Sequence, residues 1–444
     1  MKDFGRSDDP RVQAQLDRLS ALSVPQGRFG LETIRALMER LGNPHRKLPP
    51  VFHVAGTNGK GSTCAFLRAM LEAQGYRVHV TTSPHLVRYN ERIRLAGELI
   101  SDAALAEVLV EVLDASEQGD EDLGPSFFEV TIAAAFLAFS RTPADVCVVE
   151  VGMGGRFDAT NVLEPEALAA CGIAALGLDH ERFLLAPEEG VPQEPMARIA
   201  FEKAGIAKAG VPLITIPQAD HEMQAITDVA NRTSAPLHVA APLPEYQLGI
   251  LGDHQIANAS LAVAMIQKQK SLAVSQVAVR EGLLAARWPA RLQYLQAGPL
   301  TRIIEGCDWL LDGGHNVQAA DALARHFEAH REYRQTGSQM PRYAIIGLLE
   351  AKDWRGFIDR IAPHVCALVA VPVPGHDSAS PLALAAYASG RGVPIVHTSG
   401  SIEAAAHWHS SSGRPGEPNY GEVLIAGSLY LAGEALRLND ELPD

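Results

Sequence analysis

The sequence predicts a doubly wound α/β fold, and two patterns carry that prediction. From about residue 50 onward, short β-branched runs alternate with longer amphipathic ones, the order produced by βα units on a mostly parallel sheet. One of those runs, Asp145-Val146-Cys147-Val148-Val149-Glu150-Val151, is continuously apolar through its middle, as a strand buried on both faces requires. At 444 residues the chain also exceeds what one hydrophobic core supports, so two domains are expected.

The first βα unit reads as a strand at Val51–Ala55, a loop over 56–60, a helix over 61–74 and a second strand over 77–81. His53 falls inside the first apolar strand and reads as structural. A helical stretch then runs into Ala286-Arg287-Trp288-Pro289-Ala290-Arg291, where proline breaks it. This break predicts an interdomain hinge, dividing the chain into 1–290 and 291–444. Beyond it, Trp309-Leu310-Leu311, Tyr343-Ala344-Ile345-Ile346 and Val423-Leu424-Ile425 alternate with helical runs, which predicts a smaller, Rossmann-like C-terminal α/β domain. Residues 188–194 and 410–419, rich in Pro, Gly, Ser and Glu, read as surface loops.

Composition narrows the class. With 47% apolar and 20% charged residues the chain is folded globular material, not a disordered or fibrous one. Its formal charge of −14 counts against nucleic acid as a partner, so a polyanionic ligand has to be held by a few placed cations and backbone amides. Cys64, Cys147, Cys171, Cys307 and Cys366 are odd in number, lack paired metal spacing and read as reduced thiols. No run approaches the roughly 18 apolar residues of a membrane span, and the first residues carry no apolar leader. A cytoplasmic protein with no membrane contact is the expectation.

The strongest chemical signal is Gly56-Thr57-Asn58-Gly59-Lys60-Gly61-Ser62-Thr63, between a buried strand and a helix. Glycines let the backbone wrap phosphate oxygens, the helix N-terminus adds its dipole, Lys60 offsets phosphate charge, and either Ser62 or Thr63 can reach Mg²⁺. The general phosphate-loop pattern is not met: position 54 is Val and Gly61 intervenes between Lys60 and Ser62.

That departure is informative. The loop resembles the Mur-ligase superfamily, in the form used by its folylpolyglutamate synthase and dihydrofolate synthase branch. Further motifs follow in family order: Thr82-Ser83-Pro84-His85-Leu86, Glu150-Val151-Gly152-Met153-Gly154-Gly155-Arg156-Phe157-Asp158-Ala159-Thr160-Asn161, Glu202-Lys203-Ala204-Gly205-Ile206, Gly252-Asp253-His254-Gln255-Ile256-Ala257-Asn258, Trp288-Pro289-Ala290-Arg291-Leu292 and Leu311-Asp312-Gly313-Gly314-His315-Asn316. The resemblance implies an N-terminal Mur-ligase-like ATPase domain with a phosphate loop.

It also implies a site. Thr57, Asn58, Gly59, Lys60, Gly61, Ser62, Asn258, Arg291, Asp312 and His315 would bind ATP. Ser83, Glu150 and His180 would hold two magnesium ions, joined by Lys203 if that lysine is carbamylated as in the family. Lys60, Lys203 and His180 would be the catalytic set. Phe29, Gly30, Leu31, Ser126, Phe127, Phe128, Glu129, Phe157, Asp158 and Ala159 would receive the pterin and aminobenzoate part of the acceptor. Each position has a plainer reading: a turn hydroxyl at Ser83, a strand-end carboxylate at Glu150, a loop histidine at His180, a Glu202 ion pair at Lys203, core packing at Phe127 or Phe128, and a helix cap at Asp312 to Asn316. The stretch 181–200 is longer than the family pattern and contains Pro187, Pro192 and Pro195.

The implied activity is ATP-dependent amide formation. ATP phosphorylates a carboxylate of dihydropteroate or a reduced folate, and the amine of L-glutamate displaces the phosphate, with the protein acting as a monomer. Two other readings remain open: a Mur-type ligase acting on a UDP-sugar peptide, and a nucleotide switch without chemistry. The Gly61 insertion and the Ser83-Pro84-His85-Leu86 motif argue against the first, and Asp312 to Asn316 against the second.

Overall fold

The computed structural model describes residues 5–22, 30–118, 123–179, 181–243, 246–330, 340–412 and 420–444. Two compact units emerge, one of 1–249 with 255–287 and residue 444, the other of 250–254 with 288–443.

In the first unit, eight strands form one sheet: β1 (Val51–Ala55), β2 (Val78–Thr81), β3 (Ile93–Leu95), β4 (Glu98–Leu99), β5 (Val146–Glu150), β6 (Leu168–Ile173), β7 (Leu213–Thr215) and β8 (Leu237–Val239). Their order is β4-β3-β2-β5-β1-β6-β7-β8. The run β2 through β8 is parallel, and only β3 and β4 at one edge pair antiparallel. Every residue of β1, β5 and β6 is buried, which is why their sequences are continuous apolar runs instead of alternating ones.

Helices cover the sheet. In the helix Phe127–Arg141 a run from Val130 to Phe139 is buried throughout, and Phe136 and Phe139 belong to one core with Leu105 and Leu109 of the helix Asp102–Glu117. Full burial of each such side chain is worth about 1.5–3 kcal/mol. The helix Gln276–Ala285 lies close on Lys60–Ala73, with Gly282 against the backbone at Met70.

The second unit holds β9 (Gln293–Tyr294), β10 (Cys307–Leu311), β11 (Arg342–Ile346), β12 (Ala367–Ala370), β13 (Ile395–Thr398) and β14 (Gly421–Ala426) in the order β13-β12-β11-β14-β10-β9. All pairs are parallel except β9 with β10. The reading of a loop over 410–419 is corrected at its start. Residues 410–412 continue the helix Ile402–Ser412, and the rest lies outside the described residues. No helix among the described residues is long and apolar enough to cross a membrane.

His53 sits wholly buried in β1, with Nε2 2.8 Å from Thr160 Oγ1, and burial pushes its pKa down to about 3. The unfolded chain therefore binds one more proton than the folded one between that value and the ordinary histidine pKa of 6.5, and stability is lost as pH falls through this window. Replacing His53 by Leu should make the acid limb of the stability curve shallower, by at most about 1.4 kcal/mol per pH unit. Urea unfolding midpoints collected from pH 7 down to 3 measure the difference.

Candidate functional site

Parallel pairing of β2, β5, β1 and β6 brings their carboxyl ends to one edge of the sheet, where open α/β sheets bind ligands. The loop after β1 is drawn tight against the loop after β6. Thr57 N and Asn58 N donate to Ala175 O at 2.8 and 3.1 Å, and Thr57 Oγ1 donates to Gly177 O at 2.9 Å. A Cβ at Gly56 would stand 2.8 Å from Ala174 Cβ, so only glycine lets the two loops approach this closely.

Gly59 caps the helix Lys60–Ala73 with φ +86°, and no side chain bonds the first turn. The first-turn amides therefore receive nothing from the cap, the condition a helix N-terminus needs to take an anion. Asn258, buried on the helix His254–Lys268, lies so close to Gly59 that any side chain there would overlap its amide, and its Nδ2 donates to Gln255 Oε1 at 2.9 Å. The structure thus joins Asn258 to the phosphate loop across some 200 residues of sequence.

The two hydroxyls that sequence left as alternatives differ in structure. Thr63 Oγ1 donates to Gly59 O at 2.9 Å, whereas the Ser62 hydroxyl is buried and has no hydrogen-bond partner. A buried hydroxyl without a partner is costly unless a ligand completes it. Lys60 Nζ reaches Thr57 O at 3.3 Å.

Glu150 ends β5 almost fully buried, with Oε2 accepting from Ser83 N at 3.1 Å in the loop after β2. Lys203 is buried on the helix Pro195–Ala204, and its Nζ donates to Gly56 O at 2.9 Å. Burial, and after it the charge of Lys60, pushes the Lys203 pKa down to about 7 against the opposing pull of Asp179, Asp158 and Glu202. The ion pair with Glu202 does not form, because Glu202 faces Arg156 and Arg198 instead. Asp179 was passed over in sequence although it directly precedes His180; it is the first of the acids acting on Lys203. His180 and Phe29 lie outside the described residues.

No cluster of three His, Cys, Asp or Glu side chains suited to a metal occurs among the described residues. Mg²⁺ keeps several waters and takes few protein oxygens, so one buried carboxylate and one unpartnered buried hydroxyl at the same sheet edge fit it.

On the acceptor side, several expected contacts are engaged within the chain. Ser126 and Glu129 form a capping box, Ser126 N and Oγ both donating to Glu129 Oε2 at 2.8 Å, so their polar atoms hold the helix start. Asp158 is fully buried: Oδ2 accepts from Met153 N at 2.8 Å, and Oδ1 from Thr160 N and Oγ1 at 3.0 and 2.5 Å. Burial raises its pKa despite those donors. The two phenylalanines separate: the Phe127 ring packs edge-on to Tyr89 at 6.0 Å, while Phe128 lies over Gly152, two residues beyond Glu150. Phe157 sits under the Arg156 guanidinium at 4.3 Å. Leu31 and Ala159 are buried, and Gly30 stands beside the Glu32 carboxylate.

In the second unit, Asp312 Oδ2 accepts from Leu292 N at 2.9 Å and Oδ1 from Gly314 N at 2.7 Å. Ala290 and Leu292 adopt φ of +56° and +44°, a region non-glycine residues rarely enter, and Asp312 with the Gly313 N to Ala290 O bond (2.9 Å) holds them there. Arg291 Nη1 donates to Ala290 O at 2.8 Å, His315 Nδ1 lies 3.1 Å from Gly313 O, and Asn316 caps the helix Val317–Ala329.

Comparison with known proteins bears on the family and the fold. No protein-family model matches the chain. Among curated proteins it is 37% identical over 366 residues to the dihydrofolate synthase/folylpolyglutamate synthase of Bacillus subtilis, covering 75% of the chain and 78% of that protein. It is 32% identical over 436 residues to the folylpolyglutamate synthase of Lacticaseibacillus casei, covering 90% and 92%. The match to the bovine mitochondrial folylpolyglutamate synthase spans 61% of that longer protein. Among solved structures, E. coli FolC in complex with DHPP and ADP superposes with a TM-score of 0.80 at 28% identity, covering 97% of each chain. A bifunctional folylpolyglutamate synthase/dihydrofolate synthase with Mn, AMPPNP and L-glutamate bound gives 0.77 at 27% identity, covering 98% and 99%.

The Ser62 and Thr63 hydroxyls make opposite forecasts for the ligand-free protein. Thr63→Val should lower stability by about 1 kcal/mol through the lost bond to Gly59 O, whereas Ser62→Ala should leave it unchanged or slightly raised. Thermal unfolding without nucleotide distinguishes them; equal losses would mean that Ser62 has a partner inside the chain.

Proposed function

The chain belongs to the folylpolyglutamate synthase/dihydrofolate synthase family, and from that premise we infer that it joins L-glutamate to dihydropteroate, to reduced folates or to both at the expense of ATP. The observation that carries the reading in this chain is the unpartnered Ser62 hydroxyl on an uncapped helix N-terminus, beside a glycine loop drawn tight against Ala174 and Asn258.

In this mechanism the acceptor carboxylate attacks the γ-phosphorus of ATP, forming an acyl phosphate and releasing ADP. The first-turn amides after Gly59 hold the phosphates, and Lys60 offsets the charge that develops on the transferred group. The amine of glutamate, having lost its proton, attacks the acyl carbon, and the tetrahedral intermediate collapses to the amide and inorganic phosphate. No serine or cysteine nucleophile is needed, since phosphate is the leaving group. Thr57, Asn58, Gly61 and Asn258 complete our proposed nucleotide set in the first unit, with Arg291, Asp312 and His315 in the second. Phe128 and Phe157 are the proposed aromatic faces for the pterin side, suited to a flat heterocycle. Asp158 shapes the loop that presents Phe157. The assignment of ATP and acceptor to residues 1–290 and of glutamate and nucleotide to 291–444 belongs to the same reading, as does a monomer working in the cytoplasm, where the five free thiols stay reduced.

Ser62, Ser83, Glu150 and His180 would hold up to two magnesium ions, with Lys203 as a fifth ligand. When bound, they neutralise phosphate charge. Lys203 can join an oxygen ligand set only as an anion. Its neutral amine would attack CO₂, forming an N–C bond and releasing one proton to give a carbamate. A pKa near 7 supports this, because a large share of the amine is then neutral at physiological pH. The fraction rises as pH climbs through that value.

Three measurements test the reading. Mass spectrometry of products, with dihydropteroate and tetrahydrofolate offered separately, should find the glutamyl amide of at least one; hydrolysis of ATP without amide from either would defeat it. Lys60→Ala should lower turnover by roughly 100-fold or more with the fold intact. Carbon-13 bicarbonate should give a carbamate NMR signal that strengthens from pH 6 to 8 and is missing in Lys203→Ala, with activity of that variant nearly lost and partly restored by a small carboxylate. A normal rate in either lysine variant would remove that residue from the mechanism.

A further inference from the structure

Residues 181–194 carry no role in the reaction as derived, yet they contact its acceptor side twice. Leu184 ends the short helix Glu181–Leu184 and is buried against Gly154, where an added Cβ would stand 3.0 Å from its Cδ2. Glu188 then accepts from Arg156 Nη1 and Nη2 at 3.1 and 2.6 Å and from Arg198 Nη2 at 2.9 Å.

Both guanidiniums also serve Glu202. Arg156 donates to it through Nε and Nη2 at 3.1 and 2.7 Å, and Arg198 Nε stands 3.0 Å from Oε1 as an ion pair without hydrogen-bond alignment. Among the described side chains, two cations and two anions therefore balance in a largely buried cluster. Without Glu188, two guanidiniums would share one carboxylate and leave a net positive charge out of water, the arrangement that costs most in a buried network.

The cluster holds two pieces of the acceptor side together. Arg156 covers Phe157, its backbone N donates to Glu202 O at 2.8 Å, and its carbonyl accepts from Asn161 Nδ2 at 2.9 Å. Gly155 has no room for a side chain, since a Cβ would stand 2.8 Å from the carbonyl oxygens of both Glu202 and Lys203. The loop 154–161 and the end of the helix Pro195–Ala204 are thus packed backbone to backbone.

Building on the ligase reading, we propose that Glu188 is a positioning residue for the acceptor: it braces Arg156 and Arg198 so that Phe157 keeps its place, and residues 181–194 form an outer support of the pterin side. Glu188 touches no reacting atom. Its loss should therefore weaken the acceptor and spare the nucleotide.

Steady-state kinetics of Glu188→Gln, with the acceptor that the wild type uses, test this. The acceptor KM should rise roughly tenfold, the scale of one lost charged hydrogen bond, with the ATP KM and kcat little changed. Glu188→Asp, which keeps the charge, should recover most of the loss. Glu188→Gln with Arg198→Gln, which restores charge balance, should recover part of it. Hydrogen exchange by mass spectrometry should be faster over 152–161 in Glu188→Gln and unchanged over 61–73. An unchanged acceptor KM, an equal rise in both KM values, or unaltered exchange over 152–161 would each overturn the brace. Amide formation from neither acceptor by the wild type would defeat the ligase reading instead, and the exchange experiment would still decide the brace.

Discussion

The bond from Lys203 Nζ to Gly56 O is the constraint on which the rest of the site turns. A lysine this deeply buried cannot stay fully charged at low cost, and the backbone carbonyl gives it only one partner. The bond ties the helix Pro195–Ala204 to the first residue of the phosphate loop, which in turn is pinned to Ala175 beyond β6. Three segments far apart in sequence are thereby held around one point at the carboxyl edge of the sheet. The same burial that makes Lys203 expensive as a cation makes it available as a neutral nucleophile.

Charge is segregated around that point. On one side Lys60 stands near Lys203, and its charge adds to burial in favouring the neutral form of that amine. On the other, Arg156, Arg198, Glu188 and Glu202 neutralise one another and make no demand on a ligand. A chain with formal charge −14 can in this way offer a polyanion Lys60 and the uncapped amides of one helix N-terminus, while its buried guanidiniums are paired with carboxylates. The acceptor face follows the same logic. Ser126, Glu129 and Asp158 are engaged with backbone, so in the proposed reading recognition there would fall to ring faces and to the shape of the loop 152–161.

Much of this was legible in the sequence. β1 and β5 declared themselves as continuous apolar runs because both faces are covered, and the phosphate loop because glycine, lysine and hydroxyl residues follow a strand directly. The hairpin of β3 and β4 and the strand β9 were not, since two or three residues carry no readable period. Ser126-Phe127-Phe128-Glu129 carried a helix-cap signature in its own letters, which the family resemblance set aside in favour of substrate contact. The choice between Ser62 and Thr63 depended on which hydroxyl turns back to the carbonyl four residues earlier, a matter of rotamer and not of residue type. The partner of Lys203 lies 147 residues away and could be named only once the strands were ordered.

The central claim is that this sheet edge activates a carboxylate by phosphorylating it, and oxygen tracing tests that most directly. With the acceptor carboxylate labelled by ¹⁸O, turnover with ATP and glutamate should move one labelled oxygen into inorganic phosphate for each amide formed, because the carboxylate oxygen that attacks phosphorus leaves with it. Phosphate free of label, at a normal yield of amide, would contradict the acyl phosphate and the account built on it.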